Sequence, residues 1–119
     1  MAKCIAFDME DASEAFRHFS GRELVRCYGN KAYGNSLYTW DAGERCLVKC
    51  KKCGGYILIQ FSEFHAFDDS DDKYYDDYFP VESEEEADEL NRKYNGWEIE
   101  TQFGKRYLIR DNDDPPHWS

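Results

Sequence analysis

Long apolar runs are missing from this 119-residue chain. The longest, Tyr56-Ile57-Leu58-Ile59, falls far short of the roughly 20 residues that cross a bilayer, and Met1-Ala2-Lys3-Cys4 opens without a hydrophobic signal segment. Positive charge is scarce: 15 Lys and Arg stand against 25 Asp and Glu, a formal net charge of -10. Such a molecule repels polyanions, so nucleic acid is excluded as its default partner. An even cysteine count is absent as well. Five cysteines (Cys4, Cys27, Cys46, Cys50 and Cys53) without an export signal argue against a disulfide framework and for reduced thiols or a metal site. Together these absences predict a soluble, cytoplasmic protein with one domain over residues 1–119 and no membrane partner. Aromatic surface is what the chain has in plenty. Nine Tyr, eight Phe and three Trp, 17% of the residues, can fill a core and exclude a disordered acidic tail.

The periodicity predicts an α+β fold, a mainly antiparallel sheet covered by one or two helices. Ala12, Ala15, Phe16 and Phe19 recur at three- and four-residue steps, which predicts a short amphipathic helix within residues 8–19 that stops at Ser20-Gly21. Residues 22–28 are ambiguous between helix turn and strand, and residues 29–36 read as a loop. Residues 45–50 and 55–64 read as an antiparallel hairpin. In the second strand Ile57, Ile59 and Phe61 fall on one face and Tyr56, Leu58 and Phe64 on the other, so it should be central and buried on both sides at its start. A further strand should end near Pro80, which cannot donate to a central ladder. Ser83 and Glu86 form a capping box for a helix over about 84–95, stopped by Asn95-Gly96. Residues 97–103 and 106–110 alternate like a closing hairpin, and residues 111–119 read as a polar tail.

The hairpin tip carries Cys50-Lys51-Lys52-Cys53-Gly54-Gly55, a C-x-x-C-G-G turn in which two thiolates can reach one ion. It looks like half of a zinc ribbon. A closed structural site needs four ligands, and with no second C-x-x-C the remaining two must come singly from Cys4, Cys27, His18 or His65. Cys46 is a poor candidate, because four residues of strand cover about 13 Å whereas two sulfurs on one zinc lie about 4 Å apart. The metal expectation is therefore Cys50 and Cys53, with Cys27 as an additional ligand, and the cofactor is either none or a structural zinc ion.

No catalytic constellation is announced, and the chain is expected not to be an enzyme. His18, His65 and His117 sit in no catalytic motif and read as surface or capped core residues. Asp68-Asp69-Ser70-Asp71-Asp72 fails the test for a calcium loop. Counted from Asp69, the positions that require Gly and a bidentate Glu hold Tyr74 and Pro80.

Charge is polarised: residues 68–89 hold twelve of the acids and one base, Lys73. Acids interleaved with rings suit an interface that meets a basic partner, the rings anchoring and the carboxylates steering encounter. The candidate partner-binding residues are Asp68, Asp69, Asp71, Asp72, Tyr74, Tyr75, Asp76, Asp77, Tyr78, Glu84 and Glu85. The bland alternative is an acidic, solvated face with a Glu-rich helix start. The segments from Cys50 to Glu63, Tyr74 to Ser83 and Glu86 to Tyr94 resemble small bacterial immunity proteins, the partners of polymorphic or contact-dependent growth-inhibition toxins. The resemblance implies a cytoplasmic protein that binds and neutralises a cognate toxin domain. Such toxins are often nucleases with basic active sites, which an acidic surface can occupy. The alternative is a zinc-ribbon-like adaptor or regulatory module that binds through the knuckle, where Lys51 and Lys52 sit.

Overall fold

The computed structural model describes residues 3–31, 43–64, 73–96, 98–111 and 114–119. Six strands form one sheet in sequence order: β1 (Arg22–Lys31), β2 (Gly43–Cys50), β3 (Tyr56–Phe64), β4 (Lys73–Val81), β5 (Leu108–Asp111) and β6 (His117–Trp118). Each neighbouring pair is antiparallel. A 3-10 turn (Ile5–Asp8) and helix α1 (Ala12–His18) belong to the N-terminal segment, while α2 (Glu84–Lys93) and α3 (Glu98–Gln102) follow β4. The α+β, mainly antiparallel architecture is as the periodicity implies, with three α-helices. Among the described residues no helix is long and apolar enough to cross a membrane.

Strand alternation divides the core into two. Val48, Cys50, Ile57, Ile59 and Tyr78 pack with Cys4, Ala6, Phe7, Ala12, Ala15 and Phe19 from the N-terminal segment. Leu47, Leu58, Phe79 and Val81 point the other way, onto Ala87 of α2 and Ile99 of α3. Strand β3 is thus central and buried on both faces over residues 57–60, whereas Phe61, expected inward, is exposed. Asp11 caps α1 by accepting from the Ser13 N–H at 2.9 Å. At α2 the Ser83 hydroxyl accepts from the Glu86 N–H at 3.1 Å, and the Glu86 carboxylate reaches back to the Glu82 N–H at 2.8 Å.

On the α2 side a polar row crosses the sheet. Arg45, Gln60 and Asp77 are consecutive register partners on β2, β3 and β4, and all are buried. The Arg45 guanidinium donates to Gln60 Oε1 at 2.6 Å, to the Tyr94 carbonyl at 2.7 Å and to the Asn91 and Gly96 carbonyls at 3.3 Å. It therefore satisfies carbonyls that the C-terminus of α2 leaves open. Burial raises the Asp77 carboxyl well above the ordinary range, and the facing Glu100 and neighbouring Asp76 add to the effect.

The structure corrects three expectations. Residues 22–31 are strand throughout, so Gly29, Asn30 and Lys31 belong to β1, with register shifts at Leu24/Arg26 and Cys27/Gly29. Residues 32–36 lie outside the described residues. Residues 98–102 are helix rather than strand. Ile99 and Phe103 fit both the two-residue and the four-residue period, and their shared packing in the Leu58–Phe79 cluster selects the helix. The supposed polar tail returns to the sheet: His117 and Trp118 pair with Ile109 and Leu108. The Trp118 ring lies 3.8 Å below the Arg106 guanidinium, and its indole N–H donates to the Glu10 carbonyl at 2.8 Å. Helix α1 lies within the expected residues 8–19, and residues 5–8 form the separate 3-10 turn.

Candidate metal centre

The hairpin tip is built locally. Cys50 donates its N–H to the Gly55 carbonyl at 2.9 Å and accepts from the Gly54 N–H at 2.8 Å, which closes the turn after β2. Gly54 supplies the required left-handed backbone, with φ of 79°. Gly55 is needed for a different reason. A Cβ there would fall 2.2 Å from the Cys4 backbone nitrogen and 2.3 Å from its Cα, so only glycine lets the N-terminal segment lie across the turn. Lys3 bridges Tyr56 beside this crossing. The Lys51 N–H donates to the Gly21 carbonyl at 3.0 Å, tying the turn to the chain that leaves α1.

These contacts bring four chemically matched groups together. One ligand atom each from Cys4, His18, Cys50 and Cys53 lies within 4.8 Å of the others. Cys4 opens the 3-10 turn, His18 ends α1, Cys50 ends β2 and Cys53 sits on the turn. The Sγ atoms of Cys4 and Cys53 are 3.5 Å apart, and the Cys50 thiol faces the His18 carbonyl at 3.9 Å. His18 Nε2 is buried without a hydrogen-bond partner among the described residues. An orphaned ring nitrogen beside three sulfurs fits a metal ligand better than a packing group, since a buried polar atom without a partner is costly.

The thiols differ in their readiness to ionise. Burial pushes Cys4 above the ordinary thiol range. Burial also opposes ionisation of Cys53, but the adjacent His18 imidazole, the Gly55 and Ile5 backbone and Cys4 outweigh it and bring this thiol down to about 6. Three sulfurs and one imidazole make a donor set suited to a soft, four-coordinate ion.

The structure joins the expected Cys50 and Cys53 to Cys4 and His18, and it removes Cys27. Register explains the correction: Arg22 lies opposite Cys50, whereas Cys27 lies opposite Cys46 and is exposed. Cys46 also stands outside the cluster, and burial pushes it up to about 11, the opposite of an activated nucleophile. His65 lies outside the described residues. The sequence already held Cys4 and His18 as candidates, but the cue that selects Cys4 is the second glycine of the turn. His18 is selected only by the placement of α1.

Among the described residues the acidic and aromatic candidates do not share one face. Asp68, Asp69, Asp71 and Asp72 lie outside the described residues. Tyr74 is 49% exposed, while Asp77 and Tyr78 are 2% and 1% exposed and are therefore withdrawn from any partner-facing surface. Asp77 sits in the polar row, and Tyr78 packs on Phe16 and Phe19. Strand alternation places Tyr74 and Asp76 toward the α1 side and Tyr75 toward the α2 side. Burial raises the Asp76 carboxyl, opposed by Arg110, its register partner, and by Arg22. Glu84 is engaged with Arg26 at 2.9 Å and accepts from the Tyr56 hydroxyl at 3.3 Å. Arg26 also holds Asp88. Glu85 is exposed on α2.

No family model matches this chain, and neither a curated protein nor a solved structure matches it.

Proposed function

We propose that the protein is a non-catalytic binding module whose fold is fastened by one structural zinc ion on Cys4, His18, Cys50 and Cys53. The convergence of these four ligand atoms within 4.8 Å carries the reading. A three-thiolate, one-imidazole set fills a tetrahedral zinc shell, and a filled shell leaves no position for an activated water, so the ion staples rather than catalyses. Its role would be to join three segments distant in sequence: the N-terminus, the end of α1 and the hairpin tip. Elemental analysis of protein prepared without chelator tests this. One zinc per chain, lost together with thermal stability in Cys50→Ser, is expected. Metal-free protein whose melting is indifferent to added zinc and to chelator overturns it.

For the partner, the reading is an immunity-type protein that captures a cognate toxin domain with a basic surface. The net charge of -10, the exposed Tyr74 and the exposed Glu85 support an interface of this character, with Asp71 and Asp72 immediately preceding β4 in the chain. Neutralising Asp71, Asp72 and Glu85 together should slow association with the toxin domain encoded beside its gene and flatten the salt dependence. Unchanged association kinetics in a folded triple variant would count against the acidic surface.

A further inference from the structure

The three cysteines of the centre are not equivalent toward solvent. Cys4 and Cys50 are 0% and 1% exposed, whereas Cys53 is half-buried on the turn. An oxidant arriving from solution therefore meets Cys53 first. The thiol hydrogen-bonded to it is that of Cys4, although the sulfur of Cys50, its partner in the C-x-x-C motif, also lies within 4.8 Å. Cys53 Sγ lies 3.5 Å from Cys4 Sγ, while the Cys50 thiol is turned to the His18 carbonyl.

We propose that Cys53 is a peroxide-oxidation site that resolves onto Cys4, giving a Cys4–Cys53 disulfide and releasing the metal. The release step rests on the zinc reading above. The Cys53 sulfur attacks one oxygen of hydrogen peroxide, the O–O bond breaks, and the departing hydroxide takes a proton and leaves as water. The Cys4 sulfur then attacks the sulfenic sulfur of Cys53, the S–O bond breaks, and a second hydroxide leaves as water. Two thiolates, one peroxide and two protons become one disulfide and two waters. The sulfurs lose two electrons and the peroxide gains them, with no change of oxidation state at zinc.

Closing the bond requires the sulfurs to approach by about 1.5 Å to reach the ~2.05 Å disulfide length. The turn itself need not open for this, so its Cys50–Gly55 and Gly54–Cys50 hydrogen bonds persist. The product keeps the N-terminal segment fastened over Gly55 while Cys50 and His18 lose the ion they share. Oxidation thereby loosens the end of α1 selectively.

The test treats the full chain, reconstituted with zinc, with one equivalent of hydrogen peroxide. A chromogenic chelator reads free zinc, and mass spectrometry of unreduced peptides maps the linkage. The expected result is one zinc released per Cys4–Cys53 disulfide, reversed by thiol reductant and zinc, with the same yield in Cys27→Ser. A dominant Cys50–Cys53 or Cys27–Cys46 linkage, or a chain that keeps its thiols reduced, overturns the proposal. A chain that takes up no zinc before peroxide fails the zinc reading instead, and peptide mapping of that chain still decides which cysteines pair.

Discussion

Replacing Gly55 by alanine separates the close approach at the hairpin tip from ordinary glycine flexibility. Gly55 has no left-handed backbone requirement, so the added methyl acts through space alone. Its Cβ would sit 2.2 Å from the Cys4 nitrogen and 2.6 Å from the Lys3 carbonyl carbon. Ordinary carbon contacts are about 3.5 Å or more, so the N-terminal segment must lift by roughly 1 Å. Two costs follow. Overpacking of a closed site destabilises by about 1–3 kcal/mol. Displacing the Cys4 sulfur also detunes the metal shell, and loss of a supporting contact to a ligand weakens metal binding by about 10–100-fold, or ~1.4–2.8 kcal/mol.

Competition with a chelator of known zinc affinity measures the second cost, and thermal melts with and without chelator measure the first. If Gly55 acts by positioning Cys4, the effects of Gly55→Ala and Cys4→Ser on zinc affinity must be strongly non-additive, the double variant being little worse than Cys4→Ser. Gly54→Ala is the contrast. Its φ of 79° costs an L-residue about 1–2 kcal/mol, yet the nearest non-neighbouring atom to its Cβ is Lys49 Cε at 3.8 Å, so zinc affinity should hold. Wild-type zinc affinity in Gly55→Ala, or additivity with Cys4→Ser, would refute the reasoning.

Other perturbations probe the rest of the fold. Arg45→Met leaves Gln60 Oε1 and the Tyr94 carbonyl without the guanidinium that serves them, while the Gly96 carbonyl keeps the Gln60 amide at 3.1 Å. Each buried unpaired acceptor costs about 1–3 kcal/mol, so the urea midpoint should fall by the equivalent of at least ~2 kcal/mol; an unchanged midpoint would show the row to be dispensable. Asp77 binds its proton more tightly in the folded chain than in the unfolded one, because burial raises its carboxyl. Its contribution is thus fully present at low pH and is lost as pH rises through the folded value. Urea melts from pH 4 to pH 8 should show Asp77→Asn gaining stability over wild type as pH rises, and a pH-independent difference would exclude this. Trp118→Ala removes a half-buried ring packed on Phe7 and Arg106 and should cost about 1–3 kcal/mol, read by calorimetry; an unchanged melt would restore a dispensable tail.

The legible parts of this protein are the short-range ones. The hairpin of residues 43–64, the two-sided burial of β3, the Ser83 cap and the C-x-x-C-G-G turn each rest on residues a few positions apart, where period, turn chemistry and capping act directly. The second strand-like run failed for the converse reason: Ile99 and Phe103 satisfy two periods at once, and only their packing on Phe79 and its neighbours decides between them. Residues 117–118 carry too little local signal for a strand, so the pairing with β5 had no sequence cue.

The metal centre divides along the same line. Amino-acid order alone determined two of the four clustered donors, three residues apart on a tight turn, since that spacing places both sulfurs near one point whatever the remainder of the chain does. Tertiary structure decided the other two. The antiparallel register of β1 on β2 carries Cys27 away and puts Arg22 beside Cys50, while docking of α1 and the crossing at Gly55 deliver His18 and Cys4. Ligands contributed from distant segments depend on where whole elements pack, and packing is settled by the two buried faces of the sheet rather than by any local pattern.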